Sequence, residues 1–376
     1  MSHLHATIIA LAALALTASC AQSDPAAPKS VPTSAGSIVV EELATGLHHP
    51  WGLAFLPDGR LLVTEREGRL RILPKDNKLS GPLEGVPAVR VRGQGGLLDV
   101  ALDPEFKTNR TIYLSFAEGS EDGTTSTALA SAKLGTGRLE EVKVIFRQLP
   151  KVTGNGHFGG RIVFARDGRL MLTTGDRQKL DPAQDLQSHL GKVIRINRDG
   201  TVPTDNPFVG RTDAKPEIWS YGHRNMQGAA IDPLTGALWT IEFGPAGGDE
   251  LNRPAAGKNH GWPLVSWGEH YDGRDIPKPT TRPDLADAVK SWNPAINPSG
   301  MIFYTGAMFP AWKNNLLIAS LGTPGIVRLT IENGKVTNEE RIELDERIRD
   351  VEQAPDGSIY VATDQDEGSI WRLRLK

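Results

Sequence analysis

Short runs of apolar or alternating residues, separated by Gly, Pro, Asp and Asn, extend along most of the chain. Residues 60–65 (RLLVTE) and 69–73 (RLRIL) form one such pair around Glu67-Gly68. Period-two alternation is typical of a β-strand, and a Gly-containing turn between two runs indicates an antiparallel pair. The pattern predicts an all-β protein without long helices and with one short helix over residues 183–190.

A degenerate repeat accompanies these runs. A turn, usually Asp-Gly or Asp-Pro, precedes a strand that begins with Leu or Ile. Six units over about 340 residues have about 55 to 60 residues each, which fits a four-stranded blade with added loops. The turns are Pro57-Asp58-Gly59, Asp103-Pro104, Asp167-Gly168, Asp232-Pro233, Pro355-Asp356-Gly357 and a weaker one at residues 310–315.

These units predict a six-bladed β-propeller of four-stranded antiparallel blades over residues 37–376. A blade cannot bury both of its faces alone, so the blades must stack in a ring. We expect residues 37–42 (SIVVEE) to complete the last blade and close that ring. A β-sandwich or a solenoid is the alternative, but the repeated turns and the chain length favour the propeller.

The first twenty residues have the features of a bacterial lipoprotein signal peptide. An apolar run at residues 8–16 is too short to span a bilayer in the usual way, and Thr17-Ala18-Ser19-Cys20 follows it. We expect a lipid anchor at Cys20, in the periplasm at the outer membrane, as the protein's one membrane contact. Residues 21–36, rich in Pro, Ala and Ser, are expected to form a flexible tether. An ordinary secretory signal is the alternative.

Composition narrows the function classes. Hydrophobic residues make up 39% and charged residues 23%, as in an ordinary folded protein. The net charge of −3, without a basic stripe, argues against a nucleic-acid partner. Cys20 is the only cysteine, which excludes an intramolecular disulfide and a cysteine zinc site.

A histidine surrounded by glycines is the first candidate for catalysis. His157 lies in GNGHFGGR (154–161), directly before a predicted strand, and its usual pKa suits proton abstraction near neutral pH. Asp176 ends the next strand of the same predicted blade. Antiparallel pairing would bring its carboxylate beside the imidazole, where it would stabilise the charged form. A structural histidine is the alternative.

Two further polar segments stand directly before predicted strands. Gln94 lies among the glycines of GQGG (93–96), which allow a close approach of the backbone to a ligand, although a tight turn is the simpler interpretation. Arg224 and Asn225 lie in GHRNMQG (222–228), which carries more polar groups than a turn requires. An arginine there is suited to stabilise a developing oxyanion.

A Gly- and Pro-rich loop, residues 242–252 (EFGPAGGDELN), combines backbone carbonyls with the adjacent carboxylates Asp249 and Glu250. Hard oxygen ligands of this kind suit Ca²⁺. The loop is not an EF-hand, and an ordinary acidic turn is the alternative.

From about residue 43 to residue 376 the chain resembles the soluble aldose sugar dehydrogenases that depend on pyrroloquinoline quinone (PQQ), relatives of soluble glucose dehydrogenase. Many motifs in the same order make this resemblance more specific than any single one. The matching stretches are HPWGLAFLPDGRLLVTER (49–66), GQGGLLDVALDPEF (93–106), HFGGRIVF (157–164), AQDLQSHLGKVIRI (183–196), EIWSYGHRN (217–225), GPAGGDELN (244–252), GKNHGWPL (257–264), PSGMIFY (298–304) and RIRDV (347–351).

The resemblance implies a six-bladed propeller and a set of catalytic roles. His157 matches the base that abstracts the proton of the sugar C1 hydroxyl while hydride passes to C5 of PQQ. Asp176 matches its carboxylate partner, and Gln94 matches a residue that lines the site. Arg224 matches the arginine beside the quinone C5 oxygen, and Asn225 matches its cofactor-binding neighbour.

The resemblance also implies two calcium sites. The carbonyl groups of Gly244 and Pro245 match ligands of the Ca²⁺ that binds PQQ. Asp249 and Glu250 lie where the family has a further calcium site. A Tyr of that second region is replaced here by His260, whose backbone carbonyl remains available as a ligand.

Arg347 and Arg349 match a pair that binds PQQ carboxylates, and Trp292 lies near an aromatic position of the substrate cleft. Two departures concern the binding of the cofactor and the base. Gly322 stands where a Lys that contacts PQQ is expected, and Gly156 replaces the usual Asp or Asn before the base.

The expected reaction is the oxidation of an aldose at C1 to a lactone, with PQQ and Ca²⁺ as cofactors and an external electron acceptor that the sequence does not identify. Two other function classes remain open. One is a calcium-dependent propeller hydrolase of the lactonase type. The other is a non-catalytic binding propeller that has lost its affinity for PQQ.

Overall fold

The structure, a computed structural model, describes residues 29–376 and consists almost entirely of β-strands. One single-turn α-helix (Phe106–Asn109) and three 3₁₀ turns (Asp181–Ala183, Pro279–Thr281 and Pro310–Trp312) lie between the strands. The strands are β1 (Lys29–Thr33), β2 (Gly36–Leu47), β3 (Pro50–Phe55), β4 (Leu61–Glu65), β5 (Arg69–Leu73), β6 (Leu97–Leu102), β7 (Thr111–Gly119), β8 (Thr125–Leu134), β9 (Leu139–Arg147), β10 (Gly159–Phe164), β11 (Leu170–Thr174), β12 (Lys192–Ile196), β13 (Ile218–Tyr221), β14 (Met226–Ile231), β15 (Leu238–Glu242), β16 (Asp249–Asn252), β17 (Lys290–Trp292), β18 (Pro298–Phe303), β19 (Leu316–Ser320), β20 (Gly325–Glu332), β21 (Lys335–Glu343), β22 (Ile348–Gln353), β23 (Ile359–Thr363) and β24 (Gly368–Leu375).

The strands form six antiparallel sheets. Four sheets have four strands each in chain order, namely β6–β9, β10–β13, β14–β17 and β18–β21. The sheet β3-β4-β5 has three regular strands, and Ser80 and Leu83 donate backbone hydrogen bonds to Ile72 and Leu70 of β5. An irregular segment therefore takes the place of the fourth strand in this blade.

The last sheet closes the ring, as the sequence predicts. Its strand order is β1-β2-β24-β23-β22, so that an N-terminal strand pairs with the C-terminal strand. The innermost strands β3, β6, β10, β14, β18 and β22 contact one another in succession, and β22 contacts β3. This arrangement confirms the six-bladed propeller and excludes a sandwich or an open solenoid.

The end of the predicted tether lies inside the folded domain. Lys29–Thr33 forms the outer edge strand β1, and Val31 is buried with Ile38 and Trp312 in the hydrophobic core of the closing blade. Burial of this side chain stabilises the pairing of β1 with β2. The predicted tether boundary at residue 36 is therefore wrong. The predicted signal sequence, Cys20 and residues 21–28 of the predicted tether lie outside the described residues.

No helix among residues 29–376 is long and apolar enough to cross a membrane. The short helix predicted over residues 183–190 was wrong, because only Asp181–Ala183 forms a 3₁₀ turn. The ammonium group of Lys192 donates hydrogen bonds to the backbone carbonyl groups of Pro182, Ala183 and Leu190. Burial lowers the pKa of this lysine to about 7.

Each of the six innermost strands has a register shift against its neighbour. A β-bulge turns a side chain away from the regular alternation, and here it directs polar groups into the centre of the ring. The shifts lie between Pro50 and Leu53, Leu97 and Val100, Gly159 and Ile162, Met226 and Gly228, Pro298 and Met301, and Ile348 and Asp350.

Arg161 occupies the centre of the channel between these strands. Its guanidinium group lies 3.0 Å from both Asp99 and Asp350 and 4.2 Å from the centre of the Trp51 ring. It also donates to the backbone carbonyl of Gln227 at 2.9 Å. A cavity of about 380 Å³ lies in the channel beside this cluster. Arg161 thus joins several blades at the axis of the propeller.

Candidate active site

The predicted polar residues meet at one end of the ring. Gln94, His157, Arg224 and Arg347 each stand within three residues before an innermost strand, while Asp176 follows the second strand of its blade. In an antiparallel pair, the start of the first strand and the end of the second lie at the same edge. The chain therefore brings these distant segments together by its topology.

His157 and Asp176 form a buried pair. The Nδ1 atom of His157 lies 2.6 Å from one carboxylate oxygen of Asp176, and Nε1 of Trp262 donates to the other oxygen at 2.8 Å. Gly175 allows this approach, because a Cβ atom there would overlap the backbone carbonyl of His157. The Asp176 carboxylate requires Nδ1 to carry the proton, so Nε2 is the basic nitrogen.

Burial and neighbouring charges set the pKa values of this pair. Burial lowers the pKa of His157, the hydrogen bond to Asp176 opposes that effect, and the charge of Arg224 lowers the pKa further. Burial raises the pKa of Asp176, but its hydrogen bonds with His157 and Trp262 bring it below the usual value. The imidazole is therefore neutral, and the carboxylate charged, at neutral pH.

Gln94 positions the histidine through the backbone. Its side-chain carbonyl accepts a hydrogen bond from the backbone N–H of His157 at 2.7 Å. His157 has a left-handed backbone conformation, with φ of 53°, which is rare for a residue other than glycine. The contact between Gln94 and His157 supports the prediction that both belong to one site.

Arg224 lies between two aromatic rings that the sequence analysis did not assign. The centre of its guanidinium is 5.2 Å from the Trp262 ring and 5.7 Å from the Tyr271 ring, and its Nη2 donates to the Tyr271 hydroxyl at 3.1 Å. Its backbone carbonyl accepts the N–H of Asp176 at 2.8 Å. Arg224 is therefore adjacent to the His157–Asp176 pair. Asn225 is buried and accepts the N–H of Gly159 at 3.2 Å.

Arg347 and Arg349 share a single carboxylate. Arg347 lies 2.8 Å and Arg349 3.1 Å from Asp364, and Arg349 also donates to the Gln227 side chain at 2.7 Å. Burial raises the pKa of Asp364, but the two guanidinium groups lower it to about 2. Two cations with one anion leave a positive charge at this side of the ring.

Gly244 and Pro245 have carbonyl groups that accept no hydrogen bond from residues 29–376. Both residues are buried, and a buried carbonyl without a donor is suited to coordinate a hard cation. Asp249 holds the loop in this shape, because its two oxygens accept the N–H groups of Gly244 at 2.9 Å and Asn297 at 2.7 Å. The observed role of the Asp249 carboxylate is thus to fasten the loop.

Glu250 and His260 lie beside a small cavity next to this loop. The cavity is also lined by Glu242, and burial together with the charge of Glu242 raises the pKa of Glu250 to about 8. Neither ring nitrogen of His260 has a hydrogen-bond partner among residues 29–376, and its ring stacks on His223 at 4.5 Å. Glu242 meets Nδ1 of His223 at 3.1 Å, but neither carboxylate pairs with a Lys or Arg among residues 29–376, and two such adjacent carboxylates fit the donor set of a calcium site.

Trp292 does not lie in this site, so its assignment to the substrate cleft was wrong. Its side chain is buried with Trp239, Ile241 and Met301 in the hydrophobic core between two blades, and its indole donates to Glu339 at 3.0 Å. Only the backbone of Trp292 reaches the site, where its carbonyl accepts the N–H of Gly248. The alternation of the short strand β17 points the ring inward.

The sequence analysis missed three side chains that complete the site. Trp262 supports Asp176, Tyr271 contacts Arg224, and Glu242 accepts the backbone N–H of Arg224 at 2.5 Å. Trp262 lies within one of the matching motifs, GKNHGWPL, and this was the available signal for its role. Tyr271 has no comparable signal, because its loop reaches Arg224 only through the tertiary fold.

Comparisons with known proteins agree on one family. Residues 47–372 match the family model of glucose/sorbosone dehydrogenases. The chain is 43% identical over 344 residues to the aldose sugar dehydrogenase YliI of Escherichia coli K12, which covers 90% of this chain and 93% of that protein. A crystal structure of a glucose dehydrogenase matches with a TM-score of 0.86 and 47% identity over 89% of this chain and 98% of that one. The PQQ-bound aldose sugar dehydrogenase of Streptomyces coelicolor matches with a TM-score of 0.73 and 28% identity over 93% and 100% of the two chains.

We predict that Asp176→Asn lowers the pKa of His157 further. The carboxylate of Asp176 favours the imidazolium form, so its neutralisation leaves burial and Arg224 to act alone. An NMR titration of the His157 ring protons would show a pKa below the usual 6.5 in the parent protein and a lower one in the variant. Asp181→Asn, at an exposed position, is the control. A higher pKa in Asp176→Asn would contradict the assignment of the pair.

We predict that Glu250→Gln stabilises the calcium-free protein at pH 8 to 9. Because the folded pKa of Glu250 is raised from 4.5 to about 8, the calcium-free protein loses stability as the pH rises through that interval. The neutral variant should gain about 1–3 kcal/mol in urea unfolding at that pH.

Added Ca²⁺ should raise the melting temperature of the parent protein more than that of Glu250→Gln, because binding stabilises the folded state. The control is Glu269→Gln, which removes an exposed carboxylate in a neighbouring loop. An equal calcium effect in both variants would exclude Glu250 as a ligand.

Proposed function

The chain belongs to the glucose/sorbosone dehydrogenase family, and we propose that it oxidises aldose sugars at C1 to lactones, with PQQ and Ca²⁺ as cofactors. The observation that carries this proposal is the buried His157–Asp176 pair beside Arg224. An external acceptor, which the residues do not identify, would take the electrons. The names of the E. coli relative and of the PQQ-bound structure support the substrate class and the quinone.

The residues of the site fit both cofactors. PQQ is a planar trianion, and the excess positive charge of Arg224, Arg347 and Arg349 is the complement that it requires. The carbonyl groups of Gly244 and Pro245, which accept no hydrogen bond within residues 29–376, are suitable Ca²⁺ ligands. When bound, PQQ and Ca²⁺ would supply the hydride acceptor and a Lewis acid.

The residues of this chain would manage the proton. His157 presents the lone pair of Nε2, because Nδ1–H is held by Asp176. Nε2 would take the proton of the sugar C1 hydroxyl as the C1 hydrogen leaves with its electron pair, which produces the lactone. Asp176 would stabilise the resulting imidazolium, and Trp262 and Gln94 would keep the pair in place.

The arginine side chains also weigh against the other two function classes. A calcium-dependent hydrolase activates water with a metal and a carboxylate, and it has no need of three guanidinium groups around a planar anion. A binding propeller without catalysis has no need of a buried imidazole held by a carboxylate. Both features together favour the dehydrogenase.

We propose that the enzyme works in the periplasm, attached to the outer membrane by a lipid at Cys20. The apolar run that ends before Cys20 supports this location. The Cys20→Ser variant is expected to leave the membrane fraction after cell lysis and to lose incorporation of a labelled fatty acid. A variant that still carries the label would exclude Cys20 as the attachment site.

Reconstitution tests the function. The purified apoprotein, with PQQ and Ca²⁺ added, should reduce a dye in the presence of aldoses. His157→Ala should lower this rate by about 10²–10⁴-fold, as expected for loss of a general base, while PQQ still binds. The acid limb of kcat/KM should lie below pH 6.5, because the pKa of His157 is lowered. His270→Ala, in a neighbouring loop, is the control, and unchanged turnover in His157→Ala would refute the assignment of the base.

A further inference from the structure

Asn297 occupies the same position in its blade as the predicted site residues in theirs. It stands directly before the innermost strand β18, as Arg347 stands before β22 and Asn225 before β14. These positions lie at the end of the ring that holds the His157–Asp176 pair. Asn297 is the one of these three residues to which the sequence motifs assign no role.

The backbone of Asn297 is firmly held between two parts of the site. Its N–H donates to Asp249 at 2.7 Å, and the other oxygen of Asp249 holds Gly244 in the loop with the two carbonyl groups. Its carbonyl accepts the N–H of Leu321 at 2.9 Å, and the carbonyl of Leu321 accepts a hydrogen bond from Arg347 at 3.1 Å. Asn297 therefore lies between the loop with the predicted Ca²⁺ ligand Gly244 and Arg347, one of the predicted PQQ-binding arginines.

The side chain of Asn297 fills the space next to Gly322. A Cβ atom added to Gly322 would overlap the amide nitrogen of Asn297 and would lie only 2.9 Å from the backbone carbonyl oxygen of Ile296, so there is no room for a side chain at position 322. Asn297 has φ of 51°, a left-handed conformation that Asn adopts more readily than most residues. Among residues 29–376 the one hydrogen bond between Asn297 and a side chain is made by its backbone N–H, and its carboxamide makes none.

We propose that the Asn297 carboxamide donates a hydrogen bond to a carboxylate of bound PQQ, and so takes over the role expected of a lysine at position 322. This inference rests on the proposed function. A half-buried amide whose N–H groups have no protein partner is available to an anion in the space that it faces. The glycine at 322 and the asparagine at 297 are then one coordinated replacement of a charged donor by a neutral one.

The replacement has a physical consequence for binding. A neutral donor makes a weaker contact with a carboxylate than an ammonium group does, and its contribution is less sensitive to ionic strength. The exchange of the amide for a lysine should therefore change both the affinity for PQQ and its dependence on salt.

The experiment measures PQQ binding to the apoprotein in saturating Ca²⁺, by calorimetry at low and high salt, without any turnover. Asn297→Gly removes the amide and accepts the left-handed backbone without strain. It should raise the Kd for PQQ by about ten- to a hundredfold, as for a lost hydrogen bond to a charged group. Asn297→Asp keeps the shape but faces PQQ with a like charge, and should raise the Kd more.

The exchange variant is Asn297→Gly combined with Gly322→Lys. It should recover part of the affinity that Asn297→Gly loses, with a steeper salt dependence than the parent protein. Recovery is partial because the new Cβ atom still lies 2.9 Å from the carbonyl oxygen of Ile296. Gly322→Lys alone should be less stable, because its side chain overlaps Asn297, so the two changes should be strongly non-additive. Asn333→Gly, which changes another Asn with φ of 51° in a distant turn, is the control for the backbone.

The outcomes separate this inference from the proposed function. If the parent protein does not bind PQQ in the presence of Ca²⁺, the proposed function itself fails. If the parent binds PQQ and Asn297→Gly binds it equally well, the function stands and the role of Asn297 is overturned. If the exchange variant regains affinity for PQQ, the role of Asn297 is supported. If Asn297→Gly loses affinity and the exchange variant does not regain any, the claim that Asn297 replaces a lysine at position 322 is contradicted.

Discussion

The Asp176 carboxylate is the group on which the arrangement of the site depends. One of its oxygens meets the His157 imidazole, and the other meets the Trp262 indole. Its backbone N–H meets the carbonyl of Arg224. These three partners come from distant parts of the chain, so this one residue fixes the His157 imidazole, the Trp262 indole and the backbone of Arg224 relative to one another. A buried charge is tolerated only with such partners.

The balance of charge distinguishes the end of the ring that holds the His157–Asp176 pair from the central channel. Arg161 is balanced by Asp99 and Asp350 in the channel, so it acts as part of the scaffold. Arg347 and Arg349, by contrast, share Asp364 alone, and Arg224 contacts a carbonyl and a hydroxyl. At this end of the ring the three arginines therefore carry more positive charge than their partners balance. The carboxylates Glu242 and Glu250 lie beside the Gly- and Pro-rich loop that is predicted to bind Ca²⁺.

Much of this could be predicted from the sequence, because propellers repeat their signals. The alternating runs and Asp-Gly turns indicated six blades, and residues 37–42 indicated the closing strand. The pairing of His157 with Asp176 followed from their positions at the same edge of two neighbouring strands. The prediction for Trp292 was wrong because the sequence beside a loop does not indicate which face of a strand an aromatic residue occupies. In the structure its ring lies on the inward side of β17 and packs against Trp239.

Long-range contacts explain the other omissions. Residues 257–260 run alongside β13 and hydrogen-bond to Trp219 and Tyr221, which carries Trp262 to the site. No local pattern encodes that path. The prediction of a helix at residues 183–190 was wrong for a similar reason. Lys192 donates hydrogen bonds to backbone carbonyl groups that a helix would have used. Val31 lies within the predicted tether, but its side chain is buried in a core that residues near 310–345 help to form. The local sequence around Val31 does not show this distant contact.

The outer edge of the closing blade has a further consequence. β2 would otherwise expose a long row of backbone donors and acceptors, and such an edge recruits strands from other molecules. β1 covers five positions of it and contributes Lys29 and Pro32 to the new border. Proline has no N–H to offer, so Pro32 interrupts the row of donors along this new edge. The border of the molecule is thereby protected against sheet-to-sheet self-association.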